Sequence, residues 1–247
     1  MRKFGLIGKS LEHSFSPDYF ASKFSHENIL DAEYKAYPLK DLEFFRKWFF
    51  ESGLLGVNVT IPYKSEILSH LDRIHPVATA IGAVNCVALQ GELLVGYNTD
   101  AEGFTRSIVP FIENKFERAL VLGKGGASKA VAYGLSLWGM DVFFATREPQ
   151  GDKDLGYDAL NLANMNFFPL IVNCTPLGTS PNVEQCPDIP DDGLSEGHFC
   201  VDLVYNPPLT LFMQKAQQKG ALVMNGQKML EIQAELSWQI WNGDGPK

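Results

Sequence analysis

Residues 119–145 narrow the fold more than any other stretch. The apolar run Ala119-Leu120-Val121-Leu122 passes without a spacer into Gly123-Lys124-Gly125-Gly126-Ala127-Ser128-Lys129-Ala130. A helical pattern then runs to about Leu137, and Val142 to Ala145 reads as a strand. Strand, glycine loop, helix and strand in this order form the unit that binds a dinucleotide, and without that context the glycines alone are a weak signal. Gly123 and Gly125 let the backbone approach a pyrophosphate. Gly126 and Ala127 open the helix, whose free amides and partial positive charge favour an anion. The usual third glycine falls on Ser128, while Gly126 and Ala130 keep the loop and the helix face small. A tight turn without a nucleotide is the bland alternative.

The second strand of this unit ends at Thr146-Arg147-Glu148. An acidic residue near this point takes the ribose hydroxyls of NAD, whereas an arginine accommodates the extra phosphate of NADP. Arg147 favours NADP, and Glu148 keeps NAD open. From Gly151 to Met165 the chain is polar and short for a full crossover. Pro169 to Gly178 reads as a strand into a turn, Leu211 to Lys219 as a helix and Ala221-Leu222-Val223 as the last strand. A turn over Asn225-Gly226-Gln227-Lys228 precedes the final helix, Met229 to Trp241.

Before residue 101 the pattern differs. Lys3 to Gly8 reads as a buried strand, followed by a polar turn from Lys9 to Pro17 and a helix from Asp18 to Phe24. Ser14 and Ser16 lie in that turn, where serine is most often a turn or cap residue; the adjoining His13 carries no signal of its own. Tyr34 to Leu39 is the second strand. Leu42 to Ser52 is a helix whose Phe44, Phe45, Trp48 and Phe49 recur at core spacing, and Gly53 ends it. In the strand Leu55 to Ile61, Asn58 and Thr60 lie two apart and project to one face. Polar residues on such a face need buried partners or a polar ligand. Pro62 stops the pairing, and Lys64 follows at the start of a helix. Ala80 to Ala88 gives a turn and a strand, pairing with Glu92 to Tyr97 as a hairpin across Gln90-Gly91. Asn98-Thr99-Asp100 leads into a helix from Ala101. Taken singly, Lys64 reads as a solvated lysine, Asp100 as a helix cap and Gln233 as an exposed helix residue.

Composition removes several classes. A chain of 247 residues buries one large core or two modest ones, and motifs in both halves favour two lobes. The net charge of -8 and the lack of a long basic run argue against a grip on nucleic acid. Cys86, Cys174, Cys186 and Cys200 form no CxxC pair, so neither zinc nor a disulfide framework is expected. No apolar run reaches the roughly 20 residues of a membrane span. Arg2-Lys3 leads directly into a strand rather than a signal-peptide core, so the expected location is cytoplasmic.

Six separated motifs, in order, resemble the shikimate dehydrogenase family. They are Ser14-Phe15-Ser16, the run from Asn58 through Thr60 and Pro62 to Lys64, Gly82-Ala83-Val84-Asn85, the run from Gly96 to Gly103 containing Asn98-Thr99-Asp100, the Gly123 loop, and Met229-Leu230-Glu231-Ile232-Gln233. Asn173-Cys174-Thr175 resembles the family's N-A-T run with cysteine for alanine, and Asp202 to Thr210 its D-x-V-Y-x-P-x-x-T run.

The resemblance implies an α/β protein of two lobes: a substrate-binding domain, 1–101 completed by 228–247, and a Rossmann-type NADP-binding domain, 102–227, with the C-terminal helix returning to the first lobe. It implies NADPH-dependent reversible reduction of 3-dehydroshikimate to shikimate, in the chorismate route to the aromatic amino acids, without a metal. Lys64 and Asp100 would be catalytic. The growing alkoxide needs a fixed donor; a carboxylate favours the ammonium, so Asp100 would hold and orient Lys64. Ser14, Ser16, Asn58, Thr60, Asn85, Tyr205 and Gln233 would bind the substrate. Gly123, Gly125, Gly126, Ala127, Thr146, Arg147, Thr175, Val204 and Gly226 would bind the cofactor.

Two departures touch the cofactor. The family's NADP-type members carry Asn-Arg-Thr where this chain has Thr146-Arg147-Glu148, and the second basic residue usual a few positions on is absent unless Lys153 serves. An NAD-dependent quinate/shikimate dehydrogenase therefore stays open, as does, in another class, a non-catalytic dinucleotide- or shikimate-binding regulator. The implied partner is a small-molecule substrate, with no nucleic acid and no membrane, and the implied state a monomer or homodimer.

Overall fold

The computed structural model describes residues 1–12, 14–112 and 116–245; His13 and residues 113–115 of the connection expected from Glu113 to Arg118 lie outside them. Two compact units divide the chain, Met1–Gly103 with Leu230–Lys247, and Phe104–Met229.

The first unit is built on a six-stranded mixed sheet. Its strands are β1 (Arg2–Gly8), β2 (Ala32–Pro38), β3 (Gly56–Val59), β4 (Arg73–Ile74), β5 (Cys86–Gln90) and β6 (Leu93–Tyr97), in the order β2-β1-β3-β5-β6-β4. β1 runs parallel to both β2 and β3, β5 is antiparallel to β3 and β6, and β4 is parallel to β6. Helices α1 (Phe15–His26), α2 (Phe45–Glu51) and α3 (Pro76–Ile81) belong to this unit, and α4 (Asp100–Ile112) starts in it.

Alternation along the strands sends side chains to two faces. Ile7, Val57, Val59, Val87 and Leu94 pack with Phe45 and Phe49 of α2. Cys86, Ala88, Val95 and Tyr97 take the other side of the hairpin, with Ile240. Phe4 stacks on Trp241 at a centroid distance of 4.8 Å.

Several elements depart from the sequence reading. α1 begins at Phe15, so Ser16 lies in its first turn rather than in a loop; Pro17 is tolerated there because first-turn amides have no helical acceptor to lose. α2 is shorter than Leu42 to Ser52. Phe45 and Phe49, four apart, share its buried stripe, whereas Phe44 is 66% exposed, since neighbouring helix positions do not share a face. β3 stops at Val59, and Lys64 sits in a turn before the short 3-10 helix Glu66–His70 rather than at a helix start. Ala80 and Ile81 end α3 instead of forming a turn.

The second unit holds a six-stranded sheet with every pair parallel: β7 (Arg118–Leu122), β8 (Asp141–Thr146), β9 (Asp154–Gly156), β10 (Leu170–Asn173), β11 (Phe199–Asp202) and β12 (Leu222–Asn225). Their order, β12-β11-β10-β7-β8-β9, is that of a doubly wound dinucleotide fold. The helices are α5 (Gly126–Leu137), α6 (Leu162–Met165) and α7 (Leu211–Gln218), and α8 (Gln227–Trp241) carries the chain back into the first unit.

Strands buried on both faces give two cores. Ala119, Val121, Leu170, Val172, Phe199 and Val201 pack with Val131 and Leu135 of α5. Their neighbours Leu120, Leu122, Ile171 and Cys200 pack with Phe212, Met213 and Ala216 of α7. The trimmed stretch after Arg147 reaches β9 without an intervening helix. Among the described residues, no helix is long and apolar enough to cross a membrane.

Candidate active site

In the first unit the polar residues singled out in sequence meet at the ends of β3, β5 and β6. Lys64 Nζ donates to Asp100 Oδ2 at 2.7 Å. Asn85 Nδ2 donates to the other oxygen of Asp100 at 2.8 Å and to Thr99 Oγ1 at 2.9 Å. Gln233 Oε1 lies 3.4 Å from the same nitrogen, and the Thr99 amide closes the loop onto Asn85 Oδ1 at 2.7 Å. The Asp100 side chain is only 6% exposed and that of Lys64 16%. Asp100 is not the cap of α4: the Ala101 amide donates instead to Asn98 Oδ1 at 3.1 Å. Both oxygens of Asp100 are therefore engaged by side chains.

A second branch runs through Asn58. Its Nδ2 donates to Ser237 Oγ at 2.8 Å and to the Asn85 carbonyl at 3.2 Å, and its Oδ1 accepts from the Tyr34 hydroxyl at 2.9 Å. Both ends of this amide are thus held within the protein. Burial pushes the ionisation of Tyr34 well above the usual phenol range, and Ser16 acts against that shift. Ser237 Oγ donates to the Gln233 carbonyl one helical turn back, placing both residues on one face of α8.

The structure thus joins Asn58, Lys64, Asn85, Asp100 and Gln233 in one network, and Ser16 lies buried in the first turn of α1. Ser14 and Thr60 are placed by their backbones. Ser14 precedes α1 in the capping position without a side-chain cap bond, and Thr60, which follows β3, holds β1 through its amide to Ile7 O at 2.9 Å. Tyr205 belongs to the second unit, in the loop after β11. Sequence reasoning missed Tyr34, Thr99 and Ser237, which complete the network.

In the second unit every proposed cofactor residue falls at the carboxyl edge of the parallel sheet. The Gly123 loop follows β7, Thr146 ends β8, Thr175 follows β10, Val204 follows β11 and Gly226 follows β12. Ligands of doubly wound sheets bind at this edge, where the strand order reverses between β7 and β10. Gly123 has φ +97°, and a Cβ there would meet Thr175 Cγ2 at 3.1 Å. A side chain at Gly226 would lie 2.1 Å from the Leu203 carbonyl oxygen. Gly125 is the cap residue of α5, and Ser128, where a third glycine is usual, is fully buried and donates to Gly125 O at 2.7 Å. The loop can therefore present its backbone and the first amides of α5 to a pyrophosphate, and these residues fit a dinucleotide.

Asp202 and Asn173 fix the loops after β10 and β11. Asn173 Nδ2 donates to Asp202 Oδ1 at 2.9 Å, the Val204 amide donates to the same oxygen at 2.9 Å, and Thr210 Oγ1 donates to Oδ2 at 2.6 Å. Asn173 Oδ1 in turn accepts the amide and hydroxyl of Thr175, at 3.0 and 2.7 Å. Burial raises the Asp202 carboxyl to about 6, against the lowering effect of its three donors.

A folded value above the unfolded one means that the stabilising contribution is complete below about pH 4 and is lost as pH rises through about 6. Against the non-titrating variant Asp202→Asn, the stability of the parent is expected to fall by roughly 2 to 3 kcal/mol between pH 4 and 7.5. Urea midpoints of both proteins across that range measure it. A constant difference would mean that Asp202 ionises as an ordinary carboxylate.

A doubly wound sheet with a glycine loop at its switch point, in a chain whose other unit sets an ammonium against a carboxylate, defines a two-unit α/β protein of dehydrogenase type. Residues 6–87 match the family described as the shikimate dehydrogenase substrate binding domain. The NADP(+) shikimate dehydrogenase of Desulforamulus reducens is 35% identical, over 97% of this chain and 89% of its own. That of Caldicellulosiruptor saccharolyticus is 38% identical, over 98% and 92%. The crystal structure of the Thermus thermophilus shikimate 5-dehydrogenase with NADP(H) and shikimate superposes with a TM-score of 0.87 at 34% identity, covering 100% of this chain and 95% of that one. The chain belongs to the shikimate dehydrogenase family.

Proposed function

We propose that this protein catalyses the NADPH-dependent, reversible reduction of 3-dehydroshikimate to shikimate. The observation that carries the reading is the Lys64–Asp100 contact at 2.7 Å, with the second Asp100 oxygen held by Asn85. NADPH, when bound by the Gly123 loop, Thr146, Arg147, Thr175, Val204 and Gly226, supplies a hydride. The ring ketone oxygen then gains negative charge and needs a donor fixed in place. Lys64 provides it, stabilising the charge and yielding a proton. Asp100 aims the ammonium and accepts from a ring hydroxyl. Ser14, Ser16, Thr60, Asn85, Tyr205 and Gln233 bind the carboxylate and hydroxyls, and Asn58 acts with them through its hold on the Asn85 carbonyl. The same reading carries a cytoplasmic location and a monomer or homodimer.

The test is a matrix of shikimate and quinate against NADP and NAD, followed by absorbance of the reduced nicotinamide. Shikimate with NADP should be favoured about tenfold or more, the scale of one charge-assisted hydrogen bond. Faster oxidation of quinate with NAD would replace the reading by an NAD-dependent quinate enzyme. Binding of shikimate without any turnover would replace it by a regulator.

Arg147 is exposed just past the end of β8. Arg147→Ala should weaken NADPH by about tenfold and leave NADH nearly unchanged, because only the former carries the extra phosphate. The Michaelis constants of the two cofactors report this directly. Equal weakening of both would show that Arg147 does not read the phosphate.

A further inference from the structure

The 2′-phosphate of NADP is a phosphomonoester carrying close to two negative charges at neutral pH, so one guanidinium leaves it under-neutralised. Lys153, the residue downstream of Arg147 that sequence offered as a second cation, is placed elsewhere. Its ammonium is bonded to Asp141, the first residue of β8, and lies 6.0 Å from the centroid of the Phe143 ring. Arg147 follows the last residue of that strand, roughly 20 Å away along a strand rising 3.3 Å per residue.

Another lysine is better placed. Leu122 of β7 is in register with Ala145 of β8, and the Gly123 amide still donates to Ala145 O at 2.8 Å. Lys124 and Arg147 are each two residues beyond that paired position, so they leave the sheet edge from adjacent strands. The Lys124 ammonium lies 5.8 Å from the centroid of Phe144. Phe144 shares a face of β8 with Thr146, two residues on.

Lys124 is also held. It forms an ion pair with Asp154 of β9, whose side chain is 3% exposed, while that of Lys124 is 39% exposed. Asp154 Oδ2 accepts the amides of Gln150 and Gly151 at 2.9 Å each. One buried carboxylate therefore ties the segment after Arg147 to the glycine loop. The Lys124 contact, chiefly, holds that carboxyl down at about 2, so it stays ionised.

We propose that Lys124, between the first two glycines of the loop, is the second cation of the NADP site and binds the 2′-phosphate together with Arg147. Asp154 is the positioning residue that keeps the ammonium on the phosphate side of β8. The inference deepens the proposed function and rests on its assignment of NADP.

The test uses calorimetric titration of the full chain with 2′,5′-ADP and 5′-AMP, which differ only in the 2′-phosphate. The parent should prefer 2′,5′-ADP. Lys124→Ala should weaken 2′,5′-ADP by about tenfold, the scale of one charge-assisted bond, and change 5′-AMP by less than about twofold, whereas Lys124→Arg should retain most of the preference. A parent that binds both nucleotides equally, or a variant that loses both equally, overturns the proposal.

Removing Lys124 also bares the Asp154 carboxylate, so the double variant Lys124→Ala/Asp154→Asn separates attraction from repulsion. Persistence of the loss supports a direct contact; full recovery would mean that Lys124 only neutralises Asp154, and would overturn it. Thermal melts of each variant show that it is folded. Because neither nucleotide requires turnover, a preference for 2′,5′-ADP in a protein inert toward shikimate would defeat the proposed function and leave the Lys124 assignment standing.

Discussion

Lys64→Ala is expected to lower turnover of 3-dehydroshikimate by about a hundredfold or more, the scale of losing a positioned acid or base. The residue sits in a turn after β3, with its ammonium directed onto Asp100 at 2.7 Å and its side chain 16% exposed. A solvated surface lysine would show neither property. The substitution removes both the charge that faces the developing alkoxide and the proton that completes the reaction.

Lys64→Arg separates these two contributions. A guanidinium retains the charge but does not release its proton in proteins. Turnover of the arginine variant should therefore stay far below that of the parent, while the Michaelis constant for 3-dehydroshikimate moves less than turnover does. Stopped-flow measurement of hydride transfer in the purified variants would read both quantities. If Lys64→Ala kept turnover within a few fold of the parent, Lys64 would be no proton donor.

What could be read from sequence divides by range. The glycine loop was legible because its chemistry is local: Gly123 has φ +97°, which strains any side chain, and a Cβ there would crowd Thr175, and strand, loop and helix follow within twenty residues. The pair Asn58 and Thr60 announced a polar face, because an apolar strand with polar residues two apart needs partners. The partners themselves were not legible. Ser237 meets Asn58 across 179 positions of sequence, and Tyr34 reads only as a residue of the second strand until the fold sets its hydroxyl on Asn58.

Elsewhere the signal was present and ambiguous. α3 carries Pro76 in its first turn and Gly82 in a left-handed cap, yet six residues are too few for periodicity to declare a helix. Within α2, one residue of register separates buried Phe45 from exposed Phe44, and composition alone cannot choose between them. Lys153 was the second cation that sequence offered; only its contact with Asp141, at the start of β8, shows that it reaches away from Arg147.

Asp100→Asn should lower turnover by about a hundredfold or more, the scale of a lost acid/base partner, although the change is nearly isosteric. Oδ1 of the asparagine could still accept from Asn85, but an NH2 group would replace the oxygen that accepts from Lys64 at 2.7 Å. Two donors then face each other, and the ammonium must turn away. If Lys64 and Asp100 act as one device, the double variant Lys64→Ala/Asp100→Asn should be no slower than the slower single variant, within a few fold, because groups that work as a unit lose their effect together. Independent roles predict instead that the two losses multiply, to about ten-thousandfold. Such multiplication would separate the carboxylate from the ammonium and confine Asp100 to binding the ring hydroxyl. The reverse reaction offers a second reading of the same cycle. Microscopic reversibility makes Lys64 the acceptor of the hydroxyl proton during shikimate oxidation, so the coupling between the two residues should have the same size in both directions.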